Sequence, residues 1–118
     1  MRTLWAEHAV PRKNDRAVSL AYRIKELLDA DDAHLQPIQK LLPALGFSYA
    51  HLCRIFRRKF GISPVRYRNV VRLERAKELL RDPKLTITEA AYAAGFQDPA
   101  YFTRKFHECY GVPPSHLR

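Results

Sequence analysis

The stretch Gly46–Pro64, GFSYAHLCRIFRRKFGISP, returns in altered form as Gly95–Pro114, GFQDPAYFTRKFHECYGVPP. After one inserted residue the copies align at an offset of 50, where Ala50, Arg54, Phe56, Gly61 and Pro64 meet Ala100, Arg104, Phe106, Gly111 and Pro114 as identities. Ser48 and Asp98, Leu52 and Phe102, Phe60 and Tyr110, and Ile62 and Val112 match in kind. Just upstream, at an offset of 49, Ile38, Ala44, Gly46 and Phe47 meet Ile87, Ala93, Gly95 and Phe96. Self-similarity of this length means that one supersecondary unit is present twice.

The chemistry of the unit follows position by position. Gly46 and Gly95 each stand between a short apolar helix and a second helix, where the turn needs a left-handed residue. Ser48 and Asp98 are good N-caps, placed to accept the orphan amide hydrogens of that second helix. Leu52 with Phe56, and Phe102 with Phe106, stand four apart and form its buried face. Gly61 and Gly111 close it. A helix, a tight turn and a capped second helix make a helix-turn-helix, whose second helix enters the major groove of DNA.

If those apolar pairs face inward, the opposite stripe faces out. In the first unit it is Tyr49, Ala50, Cys53, Arg54 and Arg57, with Arg58 beside it and Ser48 at the helix start. In the second it is Pro99, Ala100, Thr103, Arg104 and His107, with Asp98 at the start. An arginine at the same outward place in both copies suits direct readout, because a guanidinium pairs bidentately with guanine O6 and N7. The small side chains of Ala50, Ala100 and Cys53 allow close approach to base edges. Arg54 and Arg104 could instead be surface ion-pair partners, but their recurrence on the outward face favours readout.

Outward from the repeat, the chain keeps a helical period and shows no sustained strand alternation. Residues 1–14 read as a tail or linker. A helix is expected from Asp15, with Ala17, Leu20, Ala21, Ile24, Leu27 and Leu28 as one stripe, stopped by the acidic run Asp29-Ala-Asp-Asp at its negative end. A second is expected from about Pro37. Pro43 should kink or shorten it by removing a backbone donor and clashing with the preceding turn. Between the units, Tyr67, Val70, Val71, Ala76, Leu79 and Leu80 give a linking helix of some 18 residues, about 27 Å long. The expected organisation is a first helix-turn-helix subdomain over 15–63, a linking helix over 64–82 and a second subdomain over 83–118.

The charge is uneven. Of the net +9, residues 1–32 contribute zero, residues 33–73 contribute 8 basic and no acidic side chains, and residues 74–118 contribute +1. A 41-residue segment without a carboxylate should form a positive face that attracts a polyanion. Nucleic acid is the leading partner and an anionic membrane surface the second. The membrane reading needs a spare apolar face, and the apolar faces are needed for packing. RNA binding, or nucleic-acid binding without sequence preference, is the alternative function; the aromatics that could stack bases, Phe56, Phe102 and Phe106, are committed to the cores.

Other chemistry finds little support. His51 and Cys53, and His107 and Cys109, are two apart on helices and point about 200° away from each other, so neither pair can chelate one metal ion. Cys109 is expected in the core. No histidine stands beside a Cys or Ser with an orienting carboxylate, and there is no Gly-rich phosphate loop, so no enzyme and no cofactor are expected. Two cysteines, no long apolar run and no secretory leader read as a reduced cytoplasmic chain, associated with the nucleoid if it binds DNA.

These residues carry a family resemblance. Over residues 15–118 the chain resembles the DNA-binding domain of AraC/XylS-type transcription regulators. Ser48, His51-Leu52, Arg54, Phe56, Gly61 and Ser63-Pro64 look like its first-unit pattern, and Tyr67, Arg72-Leu73, Ala76 and Leu79-Leu80 like its linking helix. Its most specific stretch is met by Ile87, Glu89, Ala91, Gly95-Phe96, Asp98, Tyr101-Phe102, Arg104, Phe106, Gly111, Pro114 and Arg118. Leu42 departs from it, standing where the family usually has alanine. The resemblance implies an all-α fold of about seven helices, with both recognition helices in adjacent major grooves on one face of the duplex. It also implies a bacterial regulator, an activator, with promoter DNA and RNA polymerase as partners and a DNA-binding domain that is itself monomeric. Family members carry a separate sensor or dimerisation domain, so the chain reads either as a C-terminal fragment or as a short stand-alone regulator.

Overall fold

A computed structural model describes residues 13–30 and 36–117, and among these no residue is in a strand. Helix α1 spans Lys13–Asp29, two residues earlier than the expected start. Asp15 therefore sits inside the first turn, where its charge meets the positive end of the helix dipole. Leu20, Ala21, Ile24 and Leu28 form its buried stripe. The helix ends at Asp29, while Asp31 and Asp32 of the expected stop, residues 1–12 of the expected tail, and Arg118 lie outside the described residues.

Helix α2 is a single turn, Ile38–Leu41, with Pro37 at its cap position. The chain then tightens into a 3₁₀ helix over Leu42–Leu45 that contains Pro43. Pro43 shortens the α-helix as its missing N–H and ring clash require. The matching helix of the second copy has no proline and runs unbroken. Leu42 is fully buried and fills space in the core.

Helices α3 (Tyr49–Phe60) and α4 (Pro64–Leu79) follow, then α5 (Ile87–Ala93), α6 (Pro99–Tyr110) and a closing 3₁₀ helix at Pro114–Leu117. Among the described residues this makes six α-helices and two 3₁₀ segments, close to the expected seven helices. Ser63 caps α4 by accepting from the Arg66 amide at 3.2 Å. Thr86 and Glu89 cap α5 reciprocally, the Glu89 amide donating to Thr86 Oγ1 at 3.0 Å and the Thr86 amide to Glu89 Oε1 at 2.8 Å.

Two hydrophobic clusters hold the fold. In the first, Leu20, Ile24 and Leu28 of α1 meet Ile38, Leu41 and Leu42, with Leu52 and Phe56 of α3. In the second, Leu73 and Ala76 of α4 and Leu80 just after it meet Ala90, Ala91, Ala94 and Phe96, with Phe102 and Phe106 of α6. The linking helix is therefore more than a spacer, because it walls the second core as α1 walls the first. At an offset of 52, the buried Ala21, Ile24 and Leu28 correspond to Leu73, Ala76 and Leu80. The inner face of α4 also differs from its apolar reading: Val70 is 40% exposed, whereas Arg68 is only 4% exposed.

Candidate nucleic-acid interface

Helices α3 and α6 are built alike. Each has 12 residues. Ser48 Oγ accepts from the His51 amide at 3.2 Å, and Asp98 Oδ1 accepts from the Ala100 amide at 3.0 Å. At the far ends Gly61 (φ 81°) and Gly111 (φ 78°) adopt the left-handed conformation, their amides bonding to the carbonyls of Arg57 and His107 at 2.8 Å. Leu52, Phe56, Phe102 and Phe106 are all fully buried. Packing on one side and caps at both ends fix the direction in which the opposite side faces.

On that opposite side Ala50, Arg54, Arg57 and Arg58 of α3 are exposed, as are Ala100, Thr103, Arg104 and His107 of α6. Tyr49, Cys53 and Pro99 are half-buried and lie on the flanks, not on the outward stripe. Tyr49 and Pro99 stand one turn before the buried Leu52 and Phe102, but spacing alone does not set burial: Cys53 and its counterpart Thr103 both stand one turn before a buried phenylalanine, and only Cys53 is half-buried. Tyr49 packs against the first cluster. Burial, and then its hydrogen bond with Cys53, raise its phenol pKa. Cys109 is exposed, not in the core as expected, because the last turn of α6 turns Tyr110 toward the cluster instead.

The two faces differ in charge. Helix α3 carries Arg54, Arg57, Arg58 and Lys59 without a carboxylate. Arg58 borders a shallow groove with Ala17 and Val18 of α1, and Lys59 lies over the Tyr22 ring, 5.5 Å from its centroid. In α6, Lys105 pairs with Glu108 at 3.3 Å. Arg104 Cζ stands 5.5 Å from the centroid of Tyr101, whose hydroxyl accepts from Asn69 Nδ2 at 2.9 Å. Phe56, Phe102 and Phe106, fully buried, are out of reach of unstacked bases.

A groove of about 350 Å³ separates the two units, lined by Gln36 and Gln39 on one side, Gln97 and Tyr101 on the other, and Arg68 and Arg72 of α4. Burial, and then the neighbouring Arg72 charge, lower the Arg68 pKa to about 10, so it stays cationic at neutral pH. Burial also lowers Arg72, which lies over the Phe96 ring at 6.0 Å. Sequence reasoning missed the pairing of Asn69 with Tyr101, and nothing in the pattern around Asn69 signals it.

A family model described as a helix-turn-helix domain matches residues 41–118. A solved structure of a probable AraC family transcriptional regulator from Rhodopseudomonas palustris superposes with a TM-score of 0.72 at 29% identity, covering 84% of this chain and 94% of that one. This chain belongs to the AraC/XylS family. Among curated relatives, the HTH-type transcriptional regulator GlxA of Rhizobium meliloti is 32% identical over 96% of this chain and 37% of its own length. The HTH-type transcriptional activator RhaS of Shigella boydii is 36% identical over 62% of this chain and 26% of its own. The chain thus spans about a third of the length of the curated relatives it matches. Membership of the AraC/XylS family places it among DNA-binding transcription regulators. Among the described residues no helix is long and apolar enough to cross a membrane.

Proposed function

We propose that the chain is the promoter-binding part of a bacterial transcription regulator and reads duplex DNA with α3 and α6 in adjacent major grooves. One observation carries this reading: two helices, capped alike and packed alike, each present an exposed arginine at the equivalent position, Arg54 and Arg104. Arg54 and Arg104 read base edges, with Ala50, Ala100 and Thr103 as close neighbours that admit the groove wall. Arg57 and Arg58 neutralise phosphates beside the first helix, and Ser48 and Asp98 hold the helix starts in place. Cys53, Tyr49, Pro99 and His107 border the contact. The DNA-binding part acts as a monomer. As in an activator, RNA polymerase is the further partner.

Selection of binding sites from a random duplex pool tests the reading. The expected product is a bipartite site whose two enriched blocks lie about 10–10.5 bp apart, one helical turn. Enrichment of no sequence, or of a single block, would overturn it.

A further inference from the structure

Two helices can read one bipartite site only if something fixes the distance and rotation between them, and helix α4 is tied to both sides. Toward the first unit, the Tyr67 hydroxyl donates to Asp29 Oδ1 at 2.5 Å, and its ring lies 5.6 Å from that of Phe56. Toward the second, Asn69 Nδ2 donates to the Tyr101 hydroxyl at 2.9 Å. Residues two apart on a helix point in nearly opposite directions, so Tyr67 and Asn69 reach to the two sides from almost one level of α4. A second tie, from the Tyr110 hydroxyl to Glu74 at 2.6 Å, holds the other end of α6. Tyr101 and Tyr110 are nine residues apart, about 13 Å along the axis, so α6 is pinned near both ends.

Tyr101 also touches the reading side. Its ring carries the guanidinium of Arg104 on one turn and the ammonium of Lys105, each 5.5 Å from the centroid. The equivalent place in the first unit holds His51, packed on Phe47 at 5.7 Å. Phe47 is 45% exposed, whereas its counterpart Phe96 is 3% exposed under α4. The arrangement is therefore particular to the second unit and to its junction with α4.

We infer that Tyr101 is a positioning residue: through its hydrogen bond to Asn69 it sets where Arg104 stands relative to the first recognition helix, and so fixes the half-site spacing the protein accepts. The inference rests on the proposed reading of duplex DNA by both helices. Tyr101→Phe removes the hydroxyl and keeps the ring under Arg104. Asn69→Ala removes the donor and leaves Tyr101 intact.

The experiment measures affinity of wild type and both variants for the selected site and for the same site with one base pair inserted or deleted between its two blocks, alongside thermal unfolding. Wild type should bind about tenfold or more weakly after either change, since half-site separation is a geometric constraint. Both variants should differ by less than about threefold between spacings, a narrowing of the spacing penalty rather than a uniform weakening. An undiminished spacing penalty in the two variants would overturn the positioning role, as would equal weakening at every spacing, which would make Tyr101 only a support for Arg104. If wild type itself showed no preference between spacings, the reading by both helices would fail instead, and the two failures are thereby distinguished.

Discussion

The Tyr110 hydroxyl donates to Glu74 Oε1 at 2.6 Å, joining the last turn of α6 to the exposed side of α4 across 36 residues of chain. Lys77, one turn along α4, stands 4.9 Å from the Tyr110 ring centroid. The phenol is therefore held in its neutral form between a carboxylate and the second core. Burial, and then the Glu74 hydrogen bond, push its pKa well above the usual tyrosine value.

An alkaline instability follows. The folded phenol keeps its proton where the unfolded one loses it, so the contribution is complete below the unfolded tyrosine pKa of about 10 and is lost as pH rises beyond it. Tyr110→Phe should cost about 1 kcal/mol at pH 7 and should unfold with a shallower loss of stability above pH 10. Urea titrations at several pH values check this; parallel curves for the two proteins would refute it.

The caps give a second expectation. Ser48→Ala and Asp98→Ala should each destabilise the fold by about 0.5–2 kcal/mol, because each leaves amide hydrogens at the start of α3 or α6 without an acceptor. Thr86→Ala should fall in the same range, since it opens the reciprocal cap of the seven-residue α5. Thermal unfolding reads all three, and unchanged midpoints would remove the capping argument.

How much of this was legible in the sequence depends on the length scale. The repeat Gly46–Pro64 and Gly95–Pro114 announced both helix-turn-helix units, their caps and their buried pairs, because these are local features set by spacing within one or two turns. The shortening at Pro43 was legible for the same reason. The flanking places of Tyr49, Cys53 and Pro99 were misjudged. Each shares a turn with a core residue, and the width of a buried face depends on what packs against it. The burial of Arg68 was not foreseen: an arginine 4% exposed is set by how α4 lies between two units, which periodicity does not record. The Asn69–Tyr101 hydrogen bond spans 32 residues and likewise belongs to tertiary placement. The capping box at Thr86 and Glu89 was present in the sequence as a T-x-x-E start signal and went unread.

The unequal charges of the two faces predict unequal salt dependence. Replacing Arg57 and Arg58 by alanine should weaken binding to the selected site and to random duplex alike, and should flatten the salt slope by roughly 1 for each phosphate that is no longer neutralised. His107→Ala, at the place in α6 that matches Arg57, should leave the slope nearly unaltered. Equal slopes for wild type and the Arg57, Arg58 double variant would make these arginines solvated surface charge, and the anchoring role would pass to Arg66 at the start of α4.

The most direct test of duplex reading by both helices is a fluorescence anisotropy titration of Arg54→Ala and Arg104→Ala, each against the selected site and against random duplex at one fixed salt concentration. Each variant should bind the selected site about 1–3 kcal/mol more weakly, roughly 5- to 150-fold in affinity, with relaxed preference at one base position in a different block of the site and a much smaller change on random duplex. Wild-type affinity of both variants for both duplexes would contradict the account.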